Sequence, residues 1–147
     1  MRHISAIAVL IGASLAVFAT PAGSTGVDLY GAFFKTGHPT KGESIETAVA
    51  SETDIGNLKL TVKTLARFPT MQFEVTGHTD PYECSGQECH DLALRRALLV
   101  YRFLLDAGVD AHRIVALTEY ASARPIAGKR EDYWRNQRAE VNITVEP

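Results

Sequence analysis

The chain has little that would mark a nucleic-acid-binding protein, a structural polymer or a large enzyme. Its 147 residues form one domain at most, too short for an α/β barrel or a two-lobed enzyme. Lys and Arg number 15 against 17 Asp and Glu, so there is no basic footprint for nucleic acid. With 11 glycines and 6 prolines, the composition also excludes a collagen-like or low-complexity polymer.

Long apolar runs are also scarce, and the one that exists lies at the N-terminus. Residues 4–19 carry no charge, follow the basic Arg2 and precede a small-residue region. This pattern predicts a signal peptide over residues 1–22, with cleavage after Ala19 or Ala22. The run is shorter than the roughly 20 residues of a spanning helix, which favours cleavage over anchoring. We therefore expect export to the bacterial periplasm or cell envelope, either free or associated with the outer membrane.

Only two cysteines occur, Cys84 and Cys89, and they lie five residues apart. In an oxidising compartment such a pair indicates a disulfide. The alternative is a metal site that adds His78 and His90, although a structural zinc site usually shows tighter spacing and two clear pairs. A disulfide closing so short a loop is expected to hold the loop in shape more than to stabilise the fold.

Alternating apolar residues predict four strands. The first lies within an N-terminal segment, residues 23–50, and the second begins at Met71. The second strand alternates apolar with polar residues, so we expect it to be half buried. The third spans residues 113–120 and the fourth residues 139–146. A polar connection separates these last two strands and is short enough to allow an antiparallel pair.

Two helices separate the strands, within a domain predicted over residues 51–147. Ser51 and Asp54 resemble a capping box at the start of a helix over residues 52–67. Asp91 is expected to cap the second helix and Gly108 to end it. The order β-α-β-α-β-β predicts an α+β or α/β sandwich, with a mixed sheet packed on helices.

Five motifs follow one another within about residues 71–145: FEVTGHTD at 73–80, LALRRA at 92–97, VDAHRI at 109–114, Pro125, and NQRAEV at 136–141. In order and in spacing they resemble the motifs of the C-terminal domain family of outer membrane protein A (OmpA), a peptidoglycan-binding family.

The resemblance implies a function without covalent chemistry and without a cofactor. Members of the family bind peptidoglycan through the diaminopimelate of the stem peptide, whose free end carries an ammonium and a carboxylate. By resemblance, Asp80 takes the ammonium and Arg96 takes the carboxylate, with Thr79 and Arg138 as further ligand contacts. The chemistry suits such a zwitterion, because arginine donates two parallel hydrogen bonds to a carboxylate and lysine cannot.

The chain departs from the family's motifs at positions around this pair. Cys89 stands where the family has an asparagine, Ala93 where it has a serine, and Gln137 where it has the first arginine of its closing pair. Residues 119–121 replace a Gly-rich turn. Asp80 and Arg96 themselves are intact.

Other interpretations of the same residues stay open. Asp80 precedes a proline and can be a turn residue, while Arg96 can be a surface charge or a structural partner of Asp80. A zinc hydrolase using the cysteines, His78 and His90 is one alternative function, although no H-E-x-x-H motif occurs. Another is a domain that keeps the fold and contacts only protein. A wall-binding protein could act freely or as an accessory subunit held by an envelope protein.

Overall fold

Four strands and three helices occur along residues 27–144, the part of the chain that the computed structural model describes. The signal peptide predicted for residues 1–22 and the end of the predicted last strand lie outside this range. The elements are β1 Ala32–Phe33, α1 Ile45–Ala48, α2 Glu52–Arg67, β2 Phe73–His78, α3 Gln87–Asp106, β3 Ile114–Glu119 and β4 Arg138–Ile143, with 3-10 turns at Ala111–Arg113 and Arg130–Asn136. No helix within residues 27–144 is both long enough and apolar enough to cross a bilayer.

The four strands form one mixed sheet in the order β1-β4-β2-β3, which confirms the predicted α+β architecture. Strand β2 pairs parallel with β3 and antiparallel with β4. The prediction that the last two strands pair with each other is wrong, because β4 lies on the other side of β2. The connection between β3 and β4 is long enough to cross β2, which separates β3 from β4 by two interstrand spacings, or about 10 Å.

Helix α2 has the predicted bounds, and its N-terminal cap also fastens the first strand. One oxygen of the Asp54 carboxylate accepts hydrogen bonds from the backbone N–H of Ser51 at 3.0 Å and from its hydroxyl at 2.7 Å. The other oxygen accepts from the backbone N–H of Phe33 at 2.9 Å. The predicted first strand is shorter than the alternation suggested. The single turn α1 precedes α2 and carries no strong sequence signal.

Helix α3 rests directly on the backbone of β2. A Cβ added at Gly77 would lie 1.8 Å from the carbonyl oxygen of Ala93, so only glycine permits this approach. Phe73 and Val75, on the same face of β2, are fully buried in the core. The close contact sets the C-terminal end of β2 beside the third turn of α3, which carries Arg96.

The opposite face of β2 is also covered, so the prediction of a half-buried strand is wrong. Thr76 and His78 on that face are buried. The connection from β3 supplies the cover: Tyr120 stacks on the His78 ring at 5.6 Å, and the Arg124 guanidinium lies 3.6 Å above the Tyr120 ring. Thr76 and His78 therefore face other side chains and not solvent, while Glu74 near the start of the strand is partly exposed.

Helix α3 begins at Gln87, four residues before the predicted cap at Asp91. Gly86 precedes the helix with φ of 55°, a left-handed conformation that favours glycine. Asp91 lies inside the helix, where it accepts a hydrogen bond from the Gln87 amide at 3.1 Å. Arg96 consequently sits in the third turn and not near the helix N-terminus. At the other end, Gly108 has φ of 90° and ends the helix as predicted.

Candidate functional site

The candidate site lies where the chain leaves β2 and passes over α3. Asp80 follows β2 by two residues, and Arg96 reaches toward it from α3. Asp80 is 3% exposed and Arg96 is completely buried. The side chain that joins them is a third residue, Glu83, in the loop between the strand and the helix.

The Arg96 guanidinium uses all five of its N–H donors within the protein. Nε donates to the carbonyl oxygen of His38 at 2.8 Å. Nη1 donates to the carbonyl oxygen of His78 at 2.8 Å and to Oε1 of Glu83 at 2.6 Å. Nη2 donates to Oε2 of Glu83 at 2.7 Å and to the carbonyl oxygen of Lys35 at 3.3 Å. The result is a buried, two-pronged ion pair between Arg96 and Glu83.

The Glu83 carboxylate receives two further hydrogen bonds from the backbone. Oε1 accepts from the N–H of Asp80 at 3.1 Å, and Oε2 accepts from the N–H of Gly37 at 2.9 Å. The side chains of Glu83 and Arg96 are both 0% exposed. An arginine fork and two backbone amides together make a complete receptor for one carboxylate.

Both oxygens of the Asp80 carboxylate also accept hydrogen bonds from groups within the protein. Oδ1 accepts from the backbone N–H of Tyr82 at 2.6 Å and of Glu83 at 3.0 Å, which shapes the turn after β2. Oδ2 accepts a hydrogen bond from the side-chain amide of Gln137. The Thr36 hydroxyl donates to the amide oxygen of Gln137 at 3.1 Å and so orients the amide group. Both oxygens of the Asp80 carboxylate are thus engaged within the protein, Oδ1 by the turn and Oδ2 by Gln137.

The structure brings Asp80 and Arg96 to one cluster but does not pair them with each other. Asp80 is a turn residue, as one interpretation held, and it also faces the cluster. The interpretations of Arg96 as a surface charge or as a partner of Asp80 are wrong, because Arg96 is buried and pairs with Glu83. Thr79 is buried beside them, and its N–H donates to the carbonyl oxygen of Ala121 at 2.9 Å.

Arg138 lies on the opposite face of the sheet from this cluster. It pairs in register with His78, whose neighbour Gly77 contacts α3 on the other face. The Arg138 guanidinium donates to Glu140 at 2.6 Å and to the carbonyl oxygen of Arg124 at 3.2 Å. The cluster around Glu83 is therefore assembled without it.

His78 anchors that opposite face as a buried neutral group. The pKa of His78 is lowered to about 4, mainly by burial and then by the positive charge of Arg138, while the Glu140 carboxylate opposes the shift. The ring Nε2 lies 3.1 Å from the Thr76 hydroxyl. These contacts fit a packed structural histidine.

The residues of the zinc alternative are held in other contacts. Cys84 and Cys89 form the predicted disulfide, so neither sulfur is available as a thiolate ligand. Nδ1 of His90 lies 2.9 Å from the Glu119 carboxylate, and His78 lies on the other face of the sheet. Across residues 27–144 no three His, Cys, Asp or Glu side chains are grouped so that they could hold a metal ion.

Sequence reasoning missed Glu83 and the contact that Gln137 makes with Asp80. The available signal was an acidic residue between Asp80 and Arg96, inside a loop next to the first cysteine. Gln137 was visible only as a departure from a family motif. Neither signal indicates which side chain turns inward.

Comparison with known proteins gives consistent matches. The OmpA family matches residues 45–139. Outer membrane porin F of Pseudomonas fluorescens is 30% identical over 105 residues, which are 69% of this chain and 31% of the porin, so the chain spans about a third of that relative.

Two solved structures share the fold. One is the peptidoglycan-associated lipoprotein of Burkholderia pseudomallei, with a TM-score of 0.63, 18% identity, and coverage of 78% of this chain and 90% of the other. The second is the cell wall anchor of the type VI secretion system of Pseudomonas aeruginosa, with a TM-score of 0.53, 26% identity, and coverage of 65% and 69%.

Proposed function

The chain belongs to the OmpA family, and on that premise we propose that it binds peptidoglycan without covalent chemistry in the bacterial cell envelope. The similar structures support this proposal, since one is a peptidoglycan-associated lipoprotein and the other a cell wall anchor. The predicted export signal supports a periplasmic location. Wall binding of this kind needs no cofactor and no catalytic residue.

The proposed ligand group is the zwitterionic end of diaminopimelate in the stem peptide. Arg96 would bind its carboxylate and Asp80 its ammonium, with the buried Thr79 hydroxyl beside them. One observation carries this assignment: a carboxylate, that of Glu83, is already held between the Arg96 fork and the backbone N–H of Asp80. Arg138 is left out of the proposed contacts because its side chain lies on the other face of the sheet.

Co-sedimentation with isolated diaminopimelate-type peptidoglycan tests the proposal, with Asp80→Asn as the informative variant. The amide keeps an oxygen to cap the turn and removes the charge that would meet the ammonium. The Gln137 amide must turn over, so that its oxygen accepts from the NH2 group of the introduced asparagine. Loss of a close charge partner costs roughly 2–5 kcal/mol of binding, or about thirtyfold or more in affinity. Asp91→Asn, on the exposed face of α3, is the matched control and should bind like wild type.

Competition with free amino acids separates this ligand from general charge attraction. Free diaminopimelate should displace the wild-type protein from the wall, and lysine should not, since lysine lacks the carboxylate at that end. A folded Asp80→Asn protein that sediments as well as wild type would refute the proposed site.

A second candidate function, contact with an envelope protein only, is favoured by one observation. Both charged groups of the site already have partners within the chain. If neither wild type nor any variant sediments with peptidoglycan, this second function replaces the first.

A further inference from the structure

The receptor for a zwitterion is filled by the chain's own side chains. The Glu83 carboxylate lies on the Arg96 fork, where a ligand carboxylate would bind. The Gln137 amide nitrogen lies at Asp80, where a ligand ammonium would bind. The two groups come from separate segments, the loop after β2 and the residue before β4, and together they present one N–H donor and one carboxylate, as the free end of such a ligand does.

We propose that Glu83 is an internal competitor for the ligand carboxylate, and that it sets both access to the site and its affinity. This inference rests on the proposed function, since it concerns the same Asp80–Arg96 site. Arg96 has no N–H donor left while Glu83 is bound. An external carboxylate must therefore take the place of the Glu83 carboxylate.

The loop that carries Glu83 is built so that this exchange is feasible. Around it Pro81, Tyr82, Ser85 and Gly86 are exposed, and the Glu83 carboxylate is the group that reaches inward. The loop is fixed at one end by β2 and at the other by the disulfide to α3. Movement of Glu83 therefore displaces a short surface loop and leaves the core intact.

The exchange also conserves the charge balance of the buried cluster. Removing Glu83 alone would leave Arg96 charged and unpaired, which is strongly unfavourable. An incoming carboxylate restores the ion pair and can accept the same hydrogen bonds from Arg96 and from the backbone amides of Asp80 and Gly37. A carboxylate ligand is thus the chemical group that can open the loop at little net cost.

Acetate rescue tests whether a carboxylate receptor lies under Glu83, independently of any wall ligand. In Glu83→Ala, two backbone amides and the arginine fork lose their acceptor, and we expect Tm to fall by roughly 10 °C. Sodium acetate should raise Tm of this variant in proportion to the logarithm of its concentration, relative to sodium chloride of equal ionic strength. Wild type and Glu88→Ala, which removes an exposed carboxylate at the start of α3, should not respond to acetate.

Peptidoglycan binding by Glu83→Gln tests the competition itself and covers the case in which the alanine variant does not fold. The amide leaves one oxygen for Arg96 and competes less well for the fork. Because a closed site reduces apparent affinity by the fraction of open molecules, Glu83→Gln should bind diaminopimelate-type peptidoglycan about tenfold or more tightly than wild type. If Glu83 only supported the site, the same change would weaken binding.

The outcomes separate this inference from the proposed function. Acetate rescue together with tighter wall binding by the Gln variant supports Glu83 as the internal competitor. A folded Glu83→Ala protein that ignores acetate overturns it, as does measurable wall binding by Glu83→Gln that is equal to or weaker than that of wild type. Acetate rescue without wall binding by any variant supports the carboxylate receptor and refutes the proposed peptidoglycan function.

Discussion

Removal of the Arg96 side chain should destabilise the fold more than most single substitutions. In Arg96→Ala the Glu83 carboxylate loses both prongs of its buried ion pair, and the carbonyl oxygens of Lys35, His38 and His78 lose their donor. Breaking a buried pair by removing one partner costs about 3–5 kcal/mol. Domains of this size have a total unfolding free energy of about 5–15 kcal/mol, so the variant should lose a large fraction of its stability.

Urea unfolding followed by far-UV circular dichroism measures this loss. The matched control is Arg102→Ala, an exposed arginine less than two turns further along α3, which should change the unfolding free energy by no more than about 0.5 kcal/mol. A folded Arg96→Ala protein that loses less than about 1 kcal/mol would refute the assignment of a buried ion pair.

A double-mutant cycle then isolates the pair. Replacing both partners with apolar residues of similar size, Arg96→Met with Glu83→Leu, removes the uncompensated charge that each single change leaves behind. The double variant should therefore be less destabilised than the sum of the single variants by about 2 kcal/mol or more. Additive single effects would contradict direct coupling of the two side chains.

Two further predictions concern β2. Gly77→Ala should destabilise the fold by about 3 kcal/mol or more, because the added Cβ would overlap the carbonyl of Ala93. Gly56→Ala, which points into open space on α2, should stabilise the fold by about 0.5–1 kcal/mol in the same urea assay. For His78, the pKa of about 4 in the folded state lies below the unfolded value of about 6.5, so the unfolded state binds the proton first. The unfolding free energy should thus fall as pH drops from 6.5 toward 4. His78→Gln should flatten this pH dependence, and the control His112→Gln, at an exposed histidine, should not. Equal slopes in wild type and both variants would contradict a buried neutral His78.

Local signals in the sequence determined much of the fold. The apolar spacing after Ser51 and the Asp54 cap predicted α2 to the residue, because a helix start depends on side chains within one turn. The alternation after Met71 predicted β2, and Gly108 predicted the end of α3. The family motifs also identified Asp80 and Arg96 as neighbours, since the end of a strand and the following helix lie on the same edge of such a sheet.

Tertiary structure decided the strand order and the state of the site. Whether β4 pairs with β3 or inserts beside β2 depends on contacts between distant segments, and no local pattern encodes them. The partner of Arg96 is likewise set by long-range geometry. The left-handed turn at Gly86 and the disulfide position the loop that carries Glu83. The carbonyl oxygens of Lys35 and His38, from a distant segment, accept the remaining hydrogen bonds of Arg96 on that side. The motif that contains Arg96 can predict that its guanidinium binds a carboxylate. Only the folded loop determines that this carboxylate belongs to Glu83.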